Sequence, residues 1–345
     1  MERLRIGVIG LGHWGKNVAR SFARARDCDL CYLCDGDPVR LAAQAALYPG
    51  AVATADLTTL LDDPTLDAVA LATPAPTHFA LGTRALAAGK HLFVEKPMTL
   101  AAADAEALCA QAEDAGRTLM VGHLLEYHPA VAWMKAYLDS GALGTPLYLY
   151  AQRLNLGIVR GDENALWSLA PHDISVALYL FGAEPDWVSA HGACYLQPGI
   201  EDVVFAYLHF PDGRAAQLHV SWLDPHKERR LVLVGSRTMV VFDDMAPMET
   251  IRVYDKGAVC PESDAPAPVT VRHGDIAIPY VPAGEPLATE CQHFVDAVRR
   301  GVAPRSDGQD GLRVVRVLEA AGQSLRTQGQ PVRMRHYDQP NVLRA

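Results

Sequence analysis

Gly10-Leu11-Gly12-His13-Trp14-Gly15 lies between the apolar run Ile6 to Ile9 and an amphipathic segment. In that context a G-x-G-x-x-G turn binds a dinucleotide. The first glycine permits the tight turn, the second lets the backbone approach a pyrophosphate, and the third packs helix on strand, while the helix N-terminus adds N–H donors and its dipole. His13 and Trp14, inside the turn, are expected along the cofactor cleft. Asp35 closes the next apolar run, near the interval of about 20 residues at which an acid meets the adenosine ribose. A carboxylate there accepts bonds from both ribose hydroxyls and repels a 2′-phosphate, which predicts NAD over NADP, with Arg40 close enough to soften the preference. The alternative is that Asp35 or Asp37 only opens the turn before Pro38. No metal set is expected, because His123, His128, His191, His209 and His219 are scattered without a carboxylate or cysteine at ligand spacing. Cys28, Cys31 and Cys34 have a C-x2-C-x2-C spacing, but strand alternation puts Cys31 and Cys34 on opposite faces.

The elements that must position these residues fall into two textures. The chain has 345 residues, which suggests about two domains. From residue 3 to about 122, Arg5–Ile9, Leu30–Cys34, Ala68–Ala72, His91–Val94 and Thr118–Val121 read as buried strands. Lys16–Arg24, Pro38–Ala46, Thr77–Ala88 and Leu100–Asp114 read as helices between them. This alternation predicts a doubly wound parallel α/β sheet of Rossmann type. After Leu147, strand patterns dominate at Leu147–Leu156, Trp187–Leu196, Asp202–Phe210, Ala215–Leu223, Arg230–Val234 and Thr238–Phe242. Pro211-Asp212-Gly213 marks a turn, so a largely antiparallel sheet is expected there. Helical pattern returns at Thr289–Arg300 and Gln309–Gln328, and the Pro-rich run 261–268 reads as a loop. The division expected is 1–122 for the nucleotide-binding domain and 123–345 for substrate binding and oligomerisation.

Lys plus Arg total 31 against 40 Asp plus Glu, a net charge of −9. That excludes a sequence-independent nucleic-acid binder, which needs basic surface to release counterions, yet permits a small anion held by a few arginines. No apolar run approaches the ~18 residues of a membrane helix, and no signal-peptide core precedes the first turn, so no membrane partner and a cytoplasmic address are expected. Seven cysteines, most within apolar segments, read as reduced core thiols rather than disulfides.

Glu95-Lys96-Pro97 after the run His91 to Val94, Ala72-Thr73-Pro74 with His78, and Val121-Gly122-His123 complete an ordered set with the glycine turn. Together they resemble the glucose-fructose oxidoreductase / inositol dehydrogenase / MocA family over nearly the whole chain. The resemblance implies a Rossmann domain followed by an α+β domain with an open-faced, mainly antiparallel sheet, nicotinamide and sugar meeting between them. It assigns Thr73, Pro74, His78, Glu95 and Lys96 to the cofactor side and His123 to the substrate, and places Lys96 beside the reactive carbon. An ammonium there stabilises a developing alkoxide, and a lysine desolvated in a cleft can have its pKa lowered enough to relay protons. Pro97 biases Lys96 toward extended backbone.

The narrower signal is Arg153-Leu154-Asn155-Leu156-Gly157, then Arg160, then Leu166-Trp167-Ser168-Leu169-Ala170-Pro171-His172-Asp173-Ile174-Ser175. Where the family commonly reads D-x-G-x-H, this chain keeps the histidine as His172 but has Ser168 for the aspartate and Ala170 for the glycine. An aspartate-assisted mechanism therefore does not carry over. The runs are similar to a branch that oxidises nucleotide-activated sugars, particularly the 3-hydroxyl of UDP-N-acetylglucosamine before transamination of the ketone. His172, titrating near ~6.5, is suited to accept the hydroxyl proton as hydride leaves; the alternative is a helix cap. Asp173 either bonds a substrate hydroxyl or favours a helix N-terminus. Arg153 and Arg160 are candidate diphosphate ligands because guanidinium presents a planar fork, with a surface salt bridge as the alternative for both, less so for Arg153 within its motif. Trp167 either stacks on a ring or belongs to the core, and Asn155 joins the substrate side.

The resemblance therefore implies an NAD-dependent sugar dehydrogenase working as a homodimer or homotetramer. Oxidation of another nucleotide-sugar, inositol or a free sugar, a transient oxidation that drives elimination, and a non-catalytic NAD-binding sensor are the alternatives. NADH accumulating in step with product marks the dehydrogenase.

Overall fold

The computed structural model describes residues 3–157, 159–259 and 269–334. The Pro-rich run 261–268 lies outside them. The chain forms two compact units, one of residues 3–129 with 283–315 and the other of residues 130–282 with 316–334.

In the first unit, six strands, β1 (Leu4–Ile9), β2 (Cys28–Cys34), β3 (Val52–Thr54), β4 (Ala68–Leu71), β5 (His91–Glu95) and β6 (Leu119–Gly122), pair in the order 3-2-1-4-5-6. Every pairing is parallel. Helices cover a parallel sheet on both faces, so its central strands are apolar throughout rather than alternating, and all four residues of β4 are buried. The connecting helices are α1 (Gly15–Arg24), α2 (Pro38–Ala45), α3 (Leu57–Leu61), α4 (His78–Ala87) and α5 (Ala102–Asp114). β3 and α3, three and five residues long, carry too little periodicity to be read in advance. In β2, Cys28 and Cys34 are buried and Cys31 is half-buried, and all three are free thiols.

A single boundary after residue 122 does not describe this unit, because α9 (Pro286–Arg300) returns to it. Its amphipathic face buries Leu287, Cys291, Phe294 and Val295. Phe294 meets Phe22 of α1 at 6.0 Å and Phe93 of β5 at 5.8 Å between centroids, and Phe22 meets Phe93 at 5.6 Å, all edge-to-face. Such pairs contribute roughly 0.5–1.5 kcal/mol each beyond area burial, enough to fix where the helix docks.

The second unit, entered through α6 (Pro129–Asp139), is built on β7 (Pro146–Leu154), β8 (Trp187–Ala193), β9 (Val203–His209), β10 (Ala215–Ser221), β11 (Glu228–Gly235), β12 (Met239–Asp243) and β13 (Ile251–Tyr254). A separate two-stranded ribbon pairs β14 (Gly257–Val259) with β15 (Thr270–Arg272), and β16 (Ile276–Ala277) and β17 (Val332–Arg333) are the edges of a nine-stranded sheet ordered 16-13-12-11-7-10-9-8-17. All its pairings are antiparallel except β7 with β10. The turn Pro211-Asp212-Gly213 closes the β9–β10 hairpin, with Phe210 and Arg214 bonded across it. Two short helices, α7 (Ala165–Leu169) and α8 (Pro171–Phe181), sit between β7 and β8 in sequence, and α10 (Gly308–Arg326) carries the chain from the first unit to the second.

Candidate active site

In the first unit the glycine turn joins β1 to α1. Gly10 has φ +88°, a conformation that penalises any Cβ, and a Cβ on Gly15 would lie 1.9 Å from the Gly10 carbonyl oxygen. Above Gly12, among the described residues, only Arg40 Nη1 comes near, at 3.8 Å from where a Cβ would stand, so the backbone there is open to a ligand. The α1 N-terminus has no side-chain cap, its Lys16 and Asn17 N–H groups donate to the Gly12 and Trp14 carbonyls, and its dipole still favours an anion at the turn. These features fit a pyrophosphate. Asp35, half-buried after β2, accepts from Leu11 N at 2.6 Å and Asp37 N at 2.8 Å, tying its carboxylate to the glycine turn. Asp37 takes the turn-opening role, capping α2 by accepting from Val39 N.

Trp14 and Glu95 come together across the sheet: the indole Nε1 donates to Glu95 Oε1 at 2.6 Å. Burial pushes the Glu95 carboxyl up to about 7, against the downward pull of that bond and of the Lys96 and His123 charges. Lys96 is half-buried beyond the C-terminal end of β5, and its peptide bond to Pro97 is cis. His78, expected at the cofactor, is buried as a brace instead. Its Nδ1 is 2.9 Å from the Pro97 carbonyl oxygen and its Nε2 2.9 Å from that of Thr73. Both partners are acceptors, so a neutral ring donates to one at a time, and burial pushes its pKa below the ordinary value. Thr73 accepts from the Thr77 hydroxyl at 2.7 Å, Pro74 is exposed, and His13 is exposed beside the turn.

His123 is not presented as a surface ligand. It is 1% exposed, and its Nδ1 lies 2.7 Å from Asp310 Oδ2 and 3.5 Å from Glu126 Oε1. Burial opposes its charged form, but the bonds and charges of Asp310 and Glu126 outweigh that and push it up to about 9. Burial, then Asp310, push Glu126 up to about 8. Asp310 is held below the ordinary carboxylate range despite its burial, by the bond and charge of His123 and by Arg313. Glu290 on α9 is fully buried with neither carboxyl oxygen bonded among the described residues, and burial, then the Glu95 and Glu126 charges, push its pKa well up. One donor atom each from His123, Glu126 and Asp310 lies within 4.8 Å of the others. The 2.7 Å Nδ1–Oδ2 separation is that of a charge-assisted hydrogen bond. Glu126, Glu290 and Asp310 carry no signal at sequence level, since Asp310 stands 187 residues from the histidine it meets.

In the second unit, His172 is half-buried in the first turn of α8, whose N-cap is Ala170 without a side-chain bond, so the histidine does not serve as the cap. Arg153, a candidate phosphate fork, is placed against a carboxylate. Its Nε donates to Asp173 Oδ2 and its Nη2 to Asp173 Oδ1, both at 2.8 Å, in a buried bidentate pair. Both Asp173 oxygens thereby accept from the arginine. Arg160 is exposed and pairs with Glu163 at 3.0 Å, the surface alternative. Asn155 is half-buried just after β7, with its N–H on the Ser221 carbonyl. Half-buried Trp167 lies in α7, whose N-cap Asn164 accepts from the Trp167 N–H at 3.1 Å.

Comparison with known proteins supplies the context. The profile described as "Oxidoreductase family, NAD-binding Rossmann fold" matches residues 4–123, and "GFO/IDH/MocA C-terminal domain" matches residues 131–241. A UDP-N-acetylglucosamine 3-dehydrogenase of Acidithiobacillus ferrooxidans is 33% identical over 93% of this chain and 96% of its own. A scyllo-inositol 2-dehydrogenase (NAD(+)) of Bacillus subtilis is 28% identical over 96% of this chain and 97% of its own. A solved structure of UDP-N-acetylglucosamine 3-dehydrogenase from Acidithiobacillus ferrooxidans superposes with a TM-score of 0.80 at 29% identity, covering 96% of this chain and all of that one. Among the described residues no helix is long and apolar enough to cross a membrane.

Proposed function

Because the chain belongs to the Gfo/Idh/MocA family of NAD-binding oxidoreductases, we propose that it oxidises a secondary hydroxyl of a sugar, with the 3-hydroxyl of UDP-N-acetylglucosamine as first substrate. The 33% identity to the Acidithiobacillus ferrooxidans 3-dehydrogenase along nearly all of both chains carries this reading. Gly10 to Gly15 and the N-terminus of α1 hold the pyrophosphate, and Asp35 receives the adenosine ribose. NAD supplies the hydride acceptor. Lys96 orients the hydroxyl and stabilises negative charge on its oxygen. His172 accepts the proton, and with Ser168 in place of an aspartate it does so without a carboxylate from that position. The experiment is NAD reduction across a panel of UDP-sugars, dTDP-sugars, inositols and free sugars, with mass spectrometry of the product. A 3-keto UDP-N-acetylglucosamine formed in step with NADH supports the reading.

The bidentate commitment of Arg153 and the inositol dehydrogenase relative favour a second reading, a free polyol or sugar without a phosphate. Equal rates on the free sugar and its UDP form select it. A homodimer or homotetramer is part of the proposal, supported by exposed Phe205 and Tyr207 on β9. Light scattering that finds a single chain at micromolar concentration removes it.

A further inference from the structure

Arg153 and Asp173 are 8% and 3% exposed, and their two parallel bonds fix the plane of the carboxylate as well as its distance. Arg153 stands on β7, an interior strand bonded to β10 on one side and β11 on the other, so its backbone is anchored. Asp173 is in the first turn of α8 and directly follows His172. That helix start has no side-chain cap, and the acid that could have served its own N–H groups reaches across to the strand instead. The pair therefore registers the first turn of α8, and with it the imidazole, against the sheet.

We propose that Arg153 is a positioning residue that sets the orientation of His172 through Asp173, and that it binds no phosphate. The proposal rests on His172 as proton acceptor. A phosphate taking the guanidinium would leave the Asp173 carboxylate buried and unpaired, the costlier arrangement. The Asp173 charge keeps Arg153 firmly charged in spite of its burial, with Asp244 adding a more distant negative charge. A guanidinium fork matches a carboxylate in both distance and angle, whereas a lysine gives one contact without fixing the plane. Displacing a reacting group by about 1 Å costs roughly 100-fold in rate, so the pair acts on turnover rather than on affinity.

The test compares Arg153→Met, Arg153→Lys, Asp173→Asn and the swapped double variant Arg153→Asp with Asp173→Arg. Each is measured for kcat and KM on whichever panel sugars are oxidised, for NAD affinity and unfolding midpoint, and for the His172 imidazole resonance, assigned through His172→Gln. We expect Arg153→Met to lower kcat by about 30- to 100-fold with KM little changed, equally on nucleotide-linked and free sugars, and to move the His172 resonance at unchanged NAD affinity. Arg153→Lys and the swap should recover part of the turnover. A raised KM confined to nucleotide-sugars with kcat intact overturns the proposal and returns Arg153 to the phosphate. An unmoved His172 resonance in folded Arg153→Lys and Asp173→Asn also overturns it. If no panel sugar is oxidised, the dehydrogenase reading fails, while the resonance still decides whether Arg153 positions His172.

Discussion

Replacing Glu290 by methionine should stabilise the first unit. The carboxyl is fully buried, neither oxygen has a hydrogen-bond partner among the described residues, and Glu95 and Glu126 add like charge. A buried polar group left unsatisfied costs about 1–3 kcal/mol, and methionine fills nearly the same volume with less than about 1.5 kcal/mol of repacking cost. The expected gain at pH 7 is therefore about 1–2 kcal/mol, which at an m-value of roughly 2 kcal/mol/M moves a urea midpoint upward by about 0.5–1 M. The sign with pH follows from the raised pKa. Below the ordinary value of 4.5 the group is protonated in both states and linkage contributes nothing. Above it the unfolded chain releases the proton and the fold holds it, so wild-type stability falls and the advantage of Glu290→Met grows. Urea unfolding followed by circular dichroism at pH 5 and pH 8 measures both quantities. A variant less stable than wild type at pH 8, or a difference that does not widen between the two pH values, would refute the reasoning.

Lys96→Ala and His172→Ala should each lower turnover by about 100-fold or more with NAD binding retained; near-normal turnover in either folded variant removes that residue from the mechanism. Asp35→Ala should weaken NAD binding by about 1–3 kcal/mol and narrow the gap to NADP. Its loss also frees Leu11 N in the glycine turn, and wild-type kinetics favouring NADP would sink the assignment. Wild-type stability should decline as pH rises from about 5 to 9. Glu95 and Glu126, raised from 4.5 to about 7 and about 8, keep protons the unfolded chain has lost, and His123, raised from 6.5 to about 9, loses its stabilising charge as pH climbs through that value. A flat or rising unfolding free energy over that range contradicts it.

Most of the first sheet was legible because buried parallel strands such as Ala68–Leu71 announce themselves as short apolar runs, and the glycine turn announces where the cofactor enters. The amphipathic face of α9 showed that it must be buried somewhere, but not that Phe294 would meet Phe22 and Phe93 rather than its sequence neighbours. Arg153 and Asp173 were both visible as chemically capable residues. Their engagement with each other was not, since side-chain type gives no hint of which partner the fold brings within reach. The same holds for His123, whose Asp310 partner comes from the far end of the chain. Tertiary proximity supplied Arg153 and His123 with carboxylate partners that residue type alone does not name.

The return of α9 to the first unit bears on how the protein is made. The strands of the nucleotide-binding sheet leave the ribosome early, but the helix whose Phe294 completes their aromatic contact emerges only after the whole of residues 130–282. At translation rates of about 5–20 residues per second, that interval lasts on the order of ten seconds or more. Through it Phe22 and Phe93 lack their cover, so the nascent first unit offers an apolar surface to chaperones. The second unit is completed later still, because residues 316–334, with the edge strand β17 that pairs with β8, follow the last residues of the first.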